Sequence, residues 1–453
     1  MHRTAQYRVA IVGGGIAGLT LALACERLNI SYVLWEAGGS ITRDEEASIG
    51  LLPNGLRILD QLGVLEDMEK STAPLKIWQH VDSEGNLLNT IRAMRHYASE
   101  YSGLRKSFLR ALGLMKTLYG RIQEKDSVHA SKRVVSVSST DSFATIVAHD
   151  GSSVTAEVVV GADGVRSRVR GFIDSAVRKP VTPSEEALST ELSCVFGIST
   201  PVSGVVEGDA YSLYCEHASV LLFTGKEGAL YWFVVEHLGK ACPFQETPRY
   251  TARDTDESCQ SVAHLPISST ACFGDVYKNR ITAFKVGLEE GMAPTWHEAR
   301  AVLVGDSGHK MVPGLAMRYS PGTPIPPCAT RSTPKRPGIL RRAAAAAGAA
   351  VNHGCRNGLS LAALVWAIRD CQGPPSEGGH GRGLGFAVLP DFHGRASHQG
   401  AACDASGPSL SSGARAVPTR RAEADSKAKC ASSNGEQAVE TRNGSPASNE
   451  AGS

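Results

Sequence analysis

From Tyr7 to about Pro313, apolar runs, helical periodicity and turn residues alternate as in a globular domain, and after Gly314 that alternation stops. Arg8-Val-Ala-Ile-Val12 is a short continuous apolar run, the pattern of a parallel strand covered on both faces. It runs into Gly13-Gly14-Gly15-Ile16-Ala17-Gly18, and Leu19 to Leu28 then carries apolar residues at helical spacing. A second strand is predicted over Ser31 to Trp35, ending on Glu36. Further on, Ser219-Val-Leu-Leu-Phe-Thr224 and Gly228-Ala-Leu-Tyr-Trp-Phe-Val-Val-Glu236 read as strands of an antiparallel sheet. No internal repeat interrupts this order.

The last third has a different texture. Thr323-Pro-Ile-Pro-Pro327, the alanine run Ala343 to Ala347 and Gly378-Gly-His-Gly-Arg-Gly383 offer few side chains that could pack. Beyond Ser320 the aromatic residues are Trp366, Phe386 and Phe392, too few to anchor a core over that length. Residues 318–453 are therefore expected to be largely disordered, apart from one candidate helix at Leu359 to Arg369.

Composition narrows the class. With 453 residues the chain has room for two or three domains. Its net charge of +2 and 20% charged residues give no support to nucleic-acid binding. The 11 cysteines are scattered without a Cys-x-x-Cys pair, which points to free thiols in a reducing compartment rather than to a disulfide framework or a zinc site. No secretory signal pattern and no run of about 18 apolar residues is visible. The expectation is an intracellular protein without an integral membrane segment, cytoplasmic or in peripheral contact with a membrane.

The glycine-rich turn carries the strongest chemical signal. Gly13 permits the tight turn, Gly15 lets the backbone approach a pyrophosphate, and Gly18 lets the helix pack closely on the sheet, so phosphates meet a helix N-terminus. Glu36, about twenty positions further on, is placed to accept hydrogen bonds from the adenosine ribose hydroxyls. Strand, helix, strand and terminal acid together predict a dinucleotide site, but FAD and NAD share this fingerprint. Two later segments favour FAD. Val158-Val-Val-Gly-Ala-Asp163-Gly-Val-Arg166-Ser167 and Ala301-Val-Leu-Val-Gly305-Asp306-Ser-Gly-His309-Lys310 each join a buried strand to a turn bearing one aspartate. Such an aspartate can hold a polyol hydroxyl, or it can simply cap a helix.

These three motifs, in this order, resemble those of the class A flavoprotein monooxygenases of the aromatic-hydroxylase type over roughly residues 5–315. Within that family the chain is most similar to fungal FAD-dependent epoxidases of indole-diterpene and meroterpenoid pathways, through Ala47-Ser-Ile-Gly50-Leu-Leu-Pro-Asn54-Gly-Leu-Arg-Ile-Leu-Asp60, Cys194-Val-Phe-Gly-Ile-Ser199 and His309-Lys-Met-Val-Pro313. The resemblance implies an α/β fold: a Rossmann-type FAD-binding domain over residues 1–175, an inserted antiparallel-sheet substrate domain over 176–290, and a return to the first domain over 291–317. It also implies roles. Gly13, Gly15, Gly18 and Glu36 would hold the ADP half of FAD, Gly50 would face the flavin through its backbone, and Asp306 would hold the ribityl chain. Either Arg105 or Arg110 would contact the cofactor, with Arg110 preferred. Asp163 and Arg166 belong to a segment that serves both FAD and the nicotinamide cofactor in this class.

The implied reaction uses NADPH and dioxygen to transfer one oxygen atom to an electron-rich carbon, giving an epoxide where that carbon belongs to a prenyl alkene. No metal is implied, and no oligomeric state. The substrate would be a small, apolar, prenylated molecule. Tyr214 is the candidate active-site phenol, and Tyr211, Tyr231, Trp232 and Phe233 either line the pocket or form plain core. His309 is read either as a general base or as a residue that positions a helix start and the cofactor. After Pro313 the chain departs from the family: Gly314-Leu-Ala-Met-Arg-Tyr-Ser-Pro321 stands where relatives start a glycine-rich helix containing Gln or Asn. An aromatic hydroxylase, or a non-catalytic relative that binds FAD poorly, therefore stay open as alternatives.

Overall fold

The computed structural model describes residues 6–42, 48–51, 53–92, 107–177 and 188–310. The chain divides into two units, residues 1–376 and 377–453, and every described residue belongs to the first. The divergent segment after Pro313, the candidate helix at Leu359 and the expected disordered tail all lie outside the described residues.

The first sheet grows from β1 (Tyr7–Val12), α1 (Ile16–Arg27) and β2 (Tyr32–Trp35). The strands β1 and β2 pair in parallel, with Val12 opposite Trp35. Val9 to Val12 are all buried, as the unbroken apolar run requires for a strand covered on both sides. Next come β3 (Ser48–Leu51), α2 (Pro53–Gln61), α3 (Leu65–Glu69), β4 (Ala73–Pro74), β5 (Ile77–Val81), β6 (Leu87–Ile91), β7 (Ser107–Arg110) and α4 (Ala111–Arg121). Strands β3, β7 and β4 form a small antiparallel sheet of their own.

The chain then returns to the first sheet through β8 (Val128–His129), β9 (Val134–Ser139), β10 (Ala144–Ala148) and β11 (Ser153–Gly161), followed by α5 (Arg168–Ala176). Strand β11 lies parallel to β1 with Gly161 opposite Val12. One face of this sheet packs on α1, α2 and α4 through Leu19, Leu23, Leu59, Leu114 and Leu118. The other packs on β9, β10 and α5 through Val12, Trp35, Ile146, Val169 and Ile173.

A second, largely antiparallel sheet follows, built from β12 (Leu188–Ser199), β13 (Asp209–Tyr214), β14 (Ala218–Thr224), β15 (Leu230–Pro243) and, after α6 (Ala252–Ser261) and α7 (Phe273–Lys278), β16 (Arg280–Met292). Strands β5 and β6 join its edge, with β5 parallel to β13. Helices α6 and α7 cover one face, where Trp232, Tyr211, Phe273 and Tyr277 are buried together. The opposite face carries Phe223, Phe233 and Leu221, with Trp78 and Phe196 packed against them. The chain ends its described course with β17 (His297–Glu298), β18 (Ala301–Leu303) and β19 (His309–Lys310). Strand β18 extends the first sheet beside β11, with Leu303 opposite Gly161, while β19 pairs with the end of β16 in the second. The fold is thus mixed α/β with two principal sheets joined at the turn between β18 and β19. No helix among the described residues is long and apolar enough to cross a membrane.

Candidate functional site

Register brings the sequence motifs together. Val12, Trp35, Gly161 and Leu303 terminate neighbouring parallel strands at the same edge of the first sheet. The residues that follow them are Gly13 to Gly15, Glu36, Ala162 to Gly164 and Val304 to Ser307. In open α/β sheets, ligands bind outside the carboxyl ends of the strands, and all three motifs sit there.

The glycine turn is dictated by contact. Gly13 has φ +109°, and a Cβ on it would lie 2.3 Å from the Ala162 carbonyl oxygen. A Cβ on Gly18 would lie 1.9 Å from the Gly13 oxygen, so α1 can approach the turn only with hydrogen at that position. A Cβ on Gly15, by contrast, would meet nothing within 4 Å, which leaves open space beside the first turn of α1. With Gly15 as its N-cap, α1 has no side-chain cap, and its first-turn N–H groups point toward that space.

Glu36 is nearly buried beside this turn. Its Oε2 accepts from the Gly14 N–H at 2.7 Å and its Oε1 from the Gly38 N–H at 2.7 Å. These two bonds orient the carboxylate beside the turn.

The two aspartate turns differ from each other. Asp163 faces its own helix: Oδ1 accepts from the Ser167 hydroxyl at 2.5 Å, and Oδ2 accepts from the N–H groups of Arg168 at 2.7 Å and Val169 at 3.3 Å. Ser167 caps α5 in turn by accepting from the Arg170 N–H at 3.0 Å. Burial pushes the Asp163 carboxyl above its ordinary range, against the pull of these hydrogen bonds. Asp306 lies in a short 3-10 turn, Gly305–Ser307, with its side chain 46% exposed and paired to Lys310 at 2.7 Å. A Cβ on Gly305 would lie 3.2 Å from the Ala17 Cβ, so this turn rests against the start of α1.

Three residues outside the expected set join the motifs. Ser307 donates its hydroxyl to the Gly161 carbonyl at 2.6 Å. Arg170, which is 3% exposed, donates to the Ser307 carbonyl at 3.0 Å and to the Val165 carbonyl. Lys310 supplies the counter-charge to Asp306. Ser307 was present in the Gly-Asp-Ser-Gly motif, but nothing local distinguished Arg170 from the solvated arginines around it.

Gly50 is exposed on β3 opposite Phe108, and Arg110 ends β7 with its backbone opposite Ser48, so the small sheet carries both. The Arg110 side chain and all of Arg105 lie outside the described residues. His309 sits on the short strand β19 and stacks on Trp296 at a centroid distance of 5.3 Å, whereas the sequence suggested a helix start there.

The aromatic run of the second sheet separates by face. Tyr211 and Trp232 belong to the core under α6 and α7. Tyr214 points the other way, its hydroxyl 2.9 Å from Nδ1 of His80, with the two rings stacked at 5.9 Å. His80 stacks in turn on Trp78 at 5.6 Å, and Trp78 donates its Nε1–H to the Ser212 hydroxyl at 2.9 Å.

At the start of α5 a cavity of about 510 Å³ is lined by Ser136, Arg166, Arg168, Phe172, Ser175 and Phe244, among others. The Arg166 guanidinium lies 5.1 Å from the centre of the Phe244 ring. Among the described residues no group of three or more His, Cys, Asp or Glu is placed to hold a metal ion.

Residues 6–317 match the family model described as FAD binding domain. The FAD-dependent monooxygenase nvfK of Aspergillus novofumigatus is 37% identical over 325 residues, which cover 70% of this chain and 68% of that protein. The FAD-dependent monooxygenase ptmM of Penicillium ochrochloron is 34% identical over 315 residues, covering 68% of this chain and 74% of its own. Among solved structures, p-nitrophenol 4-monooxygenase PnpA from Pseudomonas putida superposes with a TM-score of 0.55 at 19% identity, over 69% of this chain and 76% of that one. Klebsiella pneumoniae HpxO complexed with FAD and uric acid does so with a TM-score of 0.54 at 21% identity, over 68% and 75%. At these identities the two structures speak for the fold alone.

Proposed function

We propose a specific reaction on the premise that this chain belongs to the FAD-binding domain family and is an FAD-dependent monooxygenase. It would take NADPH and dioxygen and epoxidise a prenyl alkene of a terpenoid or meroterpenoid in secondary metabolism. Alkene, dioxygen, NADPH and a proton give epoxide, NADP⁺ and water. The observation that carries the cofactor part is the convergence of the glycine turn, Glu36 and the Asp306 turn at one sheet edge, next to the open space at Gly15.

In this reading residues 1–175 and 291–317 hold the cofactor, and residues 176–290, together with β5 and β6, shape the substrate face. The first-turn N–H groups of α1 take the pyrophosphate, with Gly13 and Gly18 fixing the turn. Glu36 accepts the ribose hydroxyls, and Asp306 accepts from the ribityl chain. Gly50 presents its backbone to the flavin, and Arg110 comes from the same small sheet. Asp163 acts mainly by fixing the start of α5, which sets Arg166 and Arg168 at the mouth of the neighbouring cavity. Two arginines at a helix N-terminus suit the phosphates of NADPH. When bound, FAD supplies reduction by NADPH and activation of dioxygen.

The protein's own contribution is to orient and to exclude water. On the face of the second sheet away from α6 and α7, the half-buried Trp78 and Phe196, packed on the Phe223 and Phe233 core, would form the apolar wall for a prenyl chain, with Tyr214 at its polar end. The enzyme would work inside the cell, in the cytoplasm or against a membrane surface. The test is direct. The purified full chain should show a flavin absorption spectrum and oxidise NADPH faster when a prenylated substrate is present, with a product heavier by one oxygen atom. Protein without flavin absorbance, even after incubation with FAD, would leave the non-catalytic alternative standing. Oxygen inserted into an aromatic ring would favour the hydroxylase.

A further inference from the structure

His80 was invisible as a functional residue in the sequence, and its surroundings single it out. It lies between two aromatic rings, Trp78 at 5.6 Å and Tyr214 at 5.9 Å, with interplanar angles of 17° and 9°. The stack belongs to the face of the second sheet opposite α6 and α7, because Trp78 packs with the Phe223 and Phe233 cluster. One ring nitrogen, Nδ1, is engaged by the Tyr214 hydroxyl at 2.9 Å. The other, Nε2, is buried and has no hydrogen-bond partner among the described residues.

Protonation follows from chemistry. Burial lowers the His80 pKa from its ordinary 6.5, so the ring is neutral at neutral pH. A neutral imidazole has one N–H and one lone pair. Between a phenol and an imidazole, the phenol O–H is the better donor and the ring nitrogen the better acceptor. With Tyr214 donating to Nδ1, the ring proton resides on Nε2. A buried N–H donor without an acceptor costs free energy, and a ligand that supplies the acceptor regains it.

We propose that His80, positioned by Tyr214, forms a polar subsite in the aromatic substrate face that takes an oxygen acceptor of the substrate, a carbonyl, ether or hydroxyl oxygen, while the prenyl chain lies along the neighbouring rings. The inference rests on the reading of this face as the substrate side. It makes His80 a residue that selects oxygenated over hydrocarbon substrates. Tyr214 becomes a positioning residue, since it acts through the tautomer and the ring orientation of His80.

The experiment uses the full chain loaded with FAD and three probes that share one skeleton: farnesene, farnesol and farnesyl methyl ether, with binding followed by tryptophan fluorescence and calorimetry. Farnesol and the ether should each bind about tenfold or more tighter than farnesene, the scale of one buried hydrogen bond. His80→Phe keeps a ring in the stack and should bind all three alike. His80→Gln, whose amide can present an N–H near the Nε2 position, should keep most of the preference. Tyr214→Phe should lose a large part of it.

If wild-type protein holds the three probes equally, or His80→Phe keeps the preference, the polar subsite is wrong and the prenyl reading stands. Tightening by farnesol alone would overturn the inference too, since it would mean that Nε2 is an acceptor. If none of the probes binds, the prenyl-substrate reading falls together with the subsite.

Discussion

Arg170 donates from Nη1 to the carbonyl oxygen of Ser307 at 3.0 Å, across 137 positions of sequence. The same buried guanidinium donates to the Val165 carbonyl, so one side chain ties the turn before α5 to the turn that carries Asp306. Protein contacts thus hold the two motif turns in register.

Replacing that arginine tests the tie. Hydrogen bonds from a charged donor are worth about 1.5–3 kcal/mol each, and Arg170→Met would leave the buried Ser307 carbonyl and the half-buried Val165 carbonyl without theirs. The variant should lose on the order of 3 kcal/mol of stability in denaturant unfolding and hold FAD less tightly. A loss below about 1 kcal/mol would mean that the turns are fixed by other contacts.

Glu36 is expected to be essential for FAD retention. In Glu36→Arg the carboxylate that accepts from Gly14 and Gly38 is gone and a cation stands where the ribose acceptor should be. FAD should be lost on gel filtration, with affinity reduced by about 100-fold or more, since two charge-assisted hydrogen bonds are removed. Wild-type affinity in this variant would count against the placement of the dinucleotide.

Asp306 separates a cofactor role from a structural one. Its pair with Lys310 is largely at the surface, where such pairs contribute about 0–1 kcal/mol. Asp306→Ala should therefore leave the melting temperature of the FAD-free protein nearly unchanged while weakening FAD binding by about 1–3 kcal/mol. The opposite pattern, a fall in stability with unchanged affinity, would reduce Asp306 to a turn residue.

Asp163 gives a pH dependence whose direction follows from its burial. The folded protein holds this carboxyl's proton at higher pH than the unfolded chain, whose value is the ordinary 3.8. The stability it lends is present below that value and is lost as pH rises through the raised folded pKa. Asp163→Asn removes the titration. The melting temperature of wild type relative to Asp163→Asn should thus fall as pH climbs above about 4 and then level off. A difference that is constant with pH, or that grows upward, would contradict the burial.

The sequence by itself determined the parts of this protein whose causes are local. An apolar run followed by three spaced glycines and a second run ending on Glu36 could be read as strand, turn, helix and strand, since the turn tolerates hydrogen alone at Gly13 and Gly18. The aspartate turns were legible for the same reason, each being a strand end followed by small residues. Tertiary structure decided everything that depends on strand register. Parallel pairing of Val12 with Trp35 and Gly161, and of Gly161 with Leu303, puts three separate motifs at one edge, and no periodicity encodes which strands will be neighbours. It also decided that Asp163 faces its own helix while Asp306 stays accessible, which two similar Gly-Asp turns could not reveal. The faces of the aromatic run followed only when α6 and α7 covered Tyr211 and Trp232. His80 meets Tyr214 because β5 crosses into a sheet formed mostly by later strands, where a contact between residues 134 positions apart leaves no mark on either local pattern.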